Sequence, residues 1–290
     1  MIRAQPDEPA DMPQISCNGV SLNLTERGEG AETIVFSHGL LWDWQMWEPQ
    51  LAHFQSRYRC LAYDHRGQAG SGGGPRQLDL DQLADDAIAL IESQGNPPCH
   101  FVGLSMGGMV GMRVAARRPE LLRSLCLLDT SAEPEPAQRL RRLRWLVRLL
   151  TLLGPKPLIN QALKEMFGPT YLNNPNNAAD LARWRQQIGA LPRFARHAVR
   201  GVIERGNVLN ELGKIRCPVL VLVGEEDQTT PATCAEKIAE RIADARLISL
   251  PKVGHMSSLE APRQINAVID SFLSTVQHDA RDAIAELTEI

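Results

Sequence analysis

Gly103-Leu104-Ser105-Met106-Gly107-Gly108 is the stretch that decides the fold. The apolar run His100-Phe-Val-Gly103 leads into it, and a helix-like stretch, Met109 to Arg117, leads out. A serine flanked by glycines at such a junction reads as a strand–turn–helix elbow. The reason is steric: a nucleophile on so tight a turn holds strained backbone angles, and its neighbours must be small. The turn presents the Ser105 hydroxyl at the carboxyl end of its strand. The following helix aims its amino terminus, and its positive dipole, at developing negative charge.

Further apolar runs flank this one. Thr33 to Ser37, Arg59 to Tyr63, Ser124 to Leu128, Val219 to Val223 and Arg246 to Leu250 read as strands covered by helices on both faces. Leu80 to Gln94, with apolar residues at 83, 84, 87, 88 and 91, has helical spacing, and Ala232 to Ile242 and Pro262 to Thr275 are similar. Alternation of strand and helix predicts an α/β fold with a mostly parallel sheet. Asn18-Gly19, between two short runs, predicts a hairpin at its start. The tail after Ser274 is charged and alanine-rich, a terminal helix or a frayed end.

The alternation fails between about Ser131 and Leu212. We therefore expect a core built from residues 1–130 and 213–290, with 131–212 as an inserted helical cap. Its first predicted helix, Gln138 to Leu153, carries one apolar stripe at Leu140, Leu143, Val147 and Leu150. Arg141, Arg142, Arg144 and Arg148 lie largely off it. The plain reading is a lid helix with its leucines packed inward and its arginines solvated. The alternative is a surface that docks on a membrane or takes an acidic substrate.

A serine hydroxyl needs a base. Of seven histidines, His255 lies just after the last predicted strand, so it also reaches the carboxyl edge of the sheet. His53, His197 and His278 sit in helical or tail contexts, and His100 lies inside the elbow strand. The base needs a carboxylate to fix its tautomer. Asp227, after Val219 to Val223, fills that place, with Asp129 as second candidate. The oxyanion needs preorganised donors: the backbone N–H of Met106, and that of Leu40 in His38-Gly39-Leu40-Leu41. His38, Gly39 and Trp42 are candidate substrate contacts, with His38 also able to brace the loop. Asp64-His65-Arg66-Gly67 reads as a structural turn supporting that loop.

Composition narrows the class. The 290 residues are 43% apolar and carry a formal charge of −3, which suits a large core and disfavours disorder. The charge balance and 5% aromatic content disfavour nucleic acid as a partner. No run approaches the roughly 20 apolar residues of a membrane span, so stable membrane insertion is not expected. Met1 to Pro9 has no apolar signal core, and six cysteines are scattered singly without metal-ligand spacing. These features predict a cytoplasmic protein with buried free thiols, and the expected serine chemistry needs no metal and no organic cofactor. A homo-oligomer is compatible with all of them.

Taken together, the His38-Gly39 loop, the Asp64 to Gly67 turn, the elbow, Asp227 and His255 resemble the α/β-hydrolase superfamily. Phe101 to Met109, Leu128 to Ala132 and Gly224 to Pro231 are most similar to the 3-oxoadipate enol-lactonase group and related small serine esterases. The resemblance implies an α/β-hydrolase fold and the chain order Ser105, Asp227, His255 for a catalytic triad. Serine at the nucleophile position counts against the haloalkane dehalogenase and epoxide hydrolase branches. The expected activity is hydrolysis of a small to medium carboxylic ester or lactone through an acyl-enzyme. Carbon–carbon hydrolysis and cofactor-free perhydrolysis are alternatives on the same triad. A non-catalytic ligand-binding member of the fold is an alternative of another class.

Overall fold

A computed structural model describes residues 13–73, 78–192 and 195–288, with the backbone alone from 279 onward. Met1 to Pro9 therefore lies outside the described residues. Asn18 and Gly19 both take left-handed angles, φ 46° and 71°. They close the predicted hairpin between β1 (Gln14–Cys17) and β2 (Val20–Arg27), with Cys17 opposite Val20. Among the described residues the sheet has eight strands, in the order β1-β2-β4-β3-β5-β6-β7-β8. Its parallel part is formed by β3 (Thr33–Ser37), β4 (Arg59–Tyr63), β5 (Cys99–Leu104), β6 (Leu122–Leu128), β7 (Val219–Gly224) and β8 (Ala245–Leu250).

Side-chain alternation along the strands builds two cores. Val35, Leu61 and Phe101 point to one face, where they meet α2 (Leu80–Leu90), α3 (Met106–Arg117) and α9 (Ala232–Ala239). Ile34, Phe36 and Ala62 point to the other, against α1 (Glu48–Phe54) and α11 (Pro262–Thr288). The tail is therefore helical as far as Thr288. β8 departs from expectation: it is the sheet edge, Leu250 is the one buried residue of its six, and Leu247 is 40% exposed. With no ninth strand beside it among the described residues, helices do not sandwich it as they do β3 or β5.

Between β6 and β7 the chain forms five helices and no strand among the described residues. They are α4 (Ala137–Leu153), α5 (Ile159–Met166), α6 (Pro169–Leu172), α7 (Ala178–Ala190) and α8 (Ala195–Ile203). Leu163, Phe167, Trp184 and Ile188 of this stretch join the core on the α1 and α11 side. A short helix, α10 (Ser257–Glu260), precedes α11. No helix of the described residues is long and apolar enough to cross a membrane. All six cysteines are free, and five of them are buried.

The strand order reverses between β3 and β5: the chain leaves β3 toward β4 on one side and returns to β5 on the other. In open parallel sheets a crevice forms at such a point, at the carboxyl ends of the strands. The loops after β3, β5, β7 and β8 all emerge at that edge.

Candidate active site

The sharpest local feature is Ser105. It stands between β5 and α3 at φ 54°, ψ −113°, in a region that side chains rarely adopt. The surroundings hold it there. Its N–H donates to the Leu128 carbonyl at 2.9 Å, and its own carbonyl accepts from Thr130 Oγ1 at 2.7 Å. The flanking glycines are required by contact: a Cβ on Gly103 would lie 2.4 Å from the Gly107 carbonyl oxygen.

His255 follows β8 and reaches Ser105 as the spacing predicts. Its Nε2 lies 2.9 Å from Ser105 Oγ, and its Nδ1 lies 2.8 Å from Asp227 Oδ2. With Nδ1 bonded to a carboxylate, the proton belongs on Nδ1 and Nε2 is free to accept from the serine. Asp227 is held in turn. The Thr229 and Thr230 N–H groups donate to its Oδ1 at 2.7 and 3.0 Å, and Thr230 Oγ1 donates to Oδ2 at 2.8 Å. All three principal side chains are buried.

The electrostatics follow from this packing. Burial would raise the Asp227 carboxyl, but the charge and hydrogen bond of His255, with the Thr230 donors, hold it below the usual range. Burial opposes a charged His255, but the adjacent Asp227 charge and hydrogen bond outweigh it and lift the imidazole above its ordinary value. Asp129, the second candidate acid, makes no hydrogen bond to His255 among the described residues. Its Oδ1 accepts from the Gly224 N–H at 2.9 Å. Burial, and then the Asp227 charge, push its carboxyl well above the normal range.

Gly39, Leu40 and Leu41 pass over the same point and line the cavity above Ser105. Leu41 sits at φ 67° with its N–H donated to Gln68 Oε1 at 2.9 Å. Among the described residues the N–H groups of Leu40 and Met106 have no protein acceptor. Met106 opens α3, where the first N–H groups have no intrahelical partner. Trp42 lines the cavity and also packs edge-on against Trp184 at 4.7 Å.

His38 differs from the expected substrate contact. Its ring is fully buried and is not among the residues lining the cavity. Nε2 accepts the His65 N–H at 2.9 Å, which places the proton on Nδ1, 2.7 Å from the Gly39 carbonyl. Burial drives its pKa down, so it is a neutral brace. The Asp64 turn is structural, as read: Asp64 accepts from Asn23 Nδ2 at 2.7 Å and from the Trp44 N–H at 2.9 Å.

The cavity has a volume of about 190 Å³, with Ser105 and His255 at its floor. Leu143, Leu146, Val147 and Leu150 of α4 form much of its wall. Two arginines in the lining are already satisfied. Arg139 pairs with Glu135 at 3.4 Å and Glu165 at 3.3 Å and donates to the Gln228 and Thr229 carbonyls. Arg205 pairs with Glu135 at 2.8 Å and donates to the Glu133 carbonyl.

Several site residues were missed by sequence reasoning. Thr130 and Thr230 carry no motif of their own, and the Arg139–Glu165 pair joins two helices that spacing alone cannot bring together. Glu260 is the most consequential. Its Oε2 accepts the N–H groups of Gly254 at 2.9 Å and Gly168 at 3.1 Å, and its Oε1 accepts that of Met256 at 3.2 Å. One carboxylate thus ties the His255 loop to the segment between α5 and α6.

Known proteins share this frame. A protein from Acinetobacter baylyi named 3-oxoadipate enol-lactonase 2 is 27% identical over 260 residues, spanning 89% of this chain and 95% of its own. A Pseudomonas syringae pv. syringae protein, provisionally named carbamate hydrolase RutD, is 30% identical over 84% of this chain and 95% of its own. The crystal structure of the enol-lactonase from Burkholderia xenovorans superposes with a TM-score of 0.83 at 26% identity, covering 90% of this chain and all of that one. The model of the alpha/beta hydrolase family matches residues 34–268, the span from β3 into α11 that carries every element of the site, and the chain belongs to that family.

Proposed function

We propose that the protein is a serine hydrolase that cleaves an uncharged carboxylic ester or lactone through an acyl-enzyme, with 131–212 as the cap over its site. The observation that carries this reading is the Ser105–His255–Asp227 relay, at 2.9 and 2.8 Å, on the floor of a largely apolar cavity. Ser105 Oγ attacks the carbonyl carbon while His255 Nε2 takes its proton. Asp227 stabilises the imidazolium and keeps its proton on Nδ1. The Leu40 and Met106 N–H groups receive the oxyanion, each worth about 3 kcal/mol of barrier in comparable sites. His255 then protonates the leaving alkoxide. A water activated by the same imidazole attacks the acyl carbon, and the acid departs with Ser105 restored.

The wall chemistry supports an apolar acyl group. Arg139 and Arg205 are the cationic side chains of the lining, and both are spent on glutamates and carbonyls. A substrate carboxylate there would meet no free cation among the described residues and would face Glu135 and Glu165. Methylene groups instead gain about 0.8 kcal/mol each on burial.

The test is hydrolysis of a series of p-nitrophenyl esters. We expect kcat/KM to rise by up to about fourfold per methylene until the cavity fills. The hemisuccinate ester should react more slowly than the butyrate, and Ser105→Ala should lose at least about 10⁴-fold. A preference for the hemisuccinate would overturn the substrate class, and full activity in Ser105→Ala would overturn the mechanism.

A further inference from the structure

We propose that the outer face of α4 docks reversibly on an anionic lipid surface. Four large hydrophobic side chains are exposed among the described residues, and three lie on this helix: Trp145 at 57%, Leu152 at 69% and Leu153 at 58%. Arg141, Trp145, Arg148 and Leu152 follow one another at spacings of four, three and four, so they form one stripe along the helix. The inward stripe of Leu143, Val147 and Leu150 is already used, since it lines the cavity. The outward apolar residues therefore contribute nothing to the core.

Charge selects the occupant. Residues 137–160 contain five arginines and one lysine and no acidic residue, in a chain whose formal charge is −3. Arg142 and Arg144 reach across to Glu165 and Glu204. Arg141, Arg148 and Lys156 have no acidic partner among the described residues, and they bracket Trp145 and the two leucines. A tryptophan with leucines among unpaired basic groups matches the headgroup and acyl boundary of an anionic bilayer. A second copy of the chain fits less well. A two-fold contact on this face would set Arg141 and Arg148 of one copy against those of the other.

The experiment is flotation of the full chain with vesicles of equimolar phosphatidylglycerol and phosphatidylcholine, against phosphatidylcholine alone. Each unpaired basic side chain adds roughly fivefold to partition on an anionic surface. Arg141 and Arg148 together thus predict a preference of about 25-fold, largely lost in 0.5 M salt. Arg141→Glu with Arg148→Glu should abolish the preference. Trp145→Ser with Leu152→Ser should weaken binding at least tenfold, with an unchanged circular dichroism spectrum. These side chains do not line the cavity, so butyrate ester hydrolysis serves as the folding control for both variants. No flotation of the wild type with the anionic vesicles overturns the proposal. So does flotation of both double variants equal to that of the wild type, or a dimer on gel filtration that Trp145→Ser converts to monomer.

Discussion

Gly107 packs so closely on Ser37 that a Cβ there would lie 2.0 Å from the Ser37 carbonyl oxygen. The contact joins the first turn of α3 to the end of β3, and so sets the elbow against the loop that carries Leu40. No rotation of a methyl group relieves an overlap with backbone, so β3 or α3 must move. Gly107→Ala should therefore cost about 3 kcal/mol or fail to fold. Thermal denaturation of the purified variant measures it, and an unchanged Tm would contradict the packing described.

The His255–Asp227 contact sets the pH dependence. In the proposed mechanism Ser105 is activated only by neutral His255. The imidazole titrates above its ordinary 6.5 because Asp227 offsets burial. The acid limb of kcat/KM for the free enzyme should then lie above pH 6.5. In Asp227→Asn the two largest raising influences are gone, and burial remains against the smaller one from Asp129. The limb should move to lower pH while the plateau rate falls by about 10⁴. A pH–rate profile of both proteins checks the sign; a limb that stays in place would separate Asp227 from the base.

Asp129 offers the complementary test. Its folded-state pKa is raised, so between its unfolded value and its folded value the folded protein binds more protons, and stability falls as pH rises. Asparagine matches the shape of the acid without its charge, keeps an acceptor for the Gly224 N–H, and tolerates the local φ of 47°. Asp129→Asn should keep the rate within a few fold and lose no Tm at pH 8. Collapse of the rate in this variant alone would mean that Asp129, not Asp227, is the working acid.

Glu260 should matter through position. Burial pushes its carboxyl up to about 7, yet it accepts three backbone N–H groups. Glu260→Gln turns one of the two acceptor atoms into a donor facing an N–H. The loss should be about 2 kcal/mol, or near 5 °C in Tm, with kcat reduced more than KM. Calorimetry with steady-state kinetics distinguishes this from a substrate contact, for which KM would rise alone.

Much of this site was legible because each principal residue lies in the loop that leaves the carboxyl end of a strand. Ser105, Asp227 and His255 could be assigned to one sheet edge before any distance was known, and the Asn18-Gly19 turn announced its hairpin. The remainder depends on contacts that local pattern does not encode. The direction of the His38 ring follows from the His65 N–H, 27 positions away. Glu260 reaches Gly168 across 92 positions. The edge position of β8 depends on the absence of a neighbour, which an apolar run cannot announce. The α4 stripe was legible on its inner face, while the exposure of Trp145 and Leu152 emerged only once the helix was seated.

The most direct measurement is peptide mass spectrometry after reaction with a fluorophosphonate, which labels only a serine activated by a neighbouring base. The relay at 2.9 and 2.8 Å predicts one label per chain, on Ser105, reduced in rate by His255→Ala and absent from Ser105→Ala. An unlabelled wild-type protein, or a label on any other residue, would contradict it.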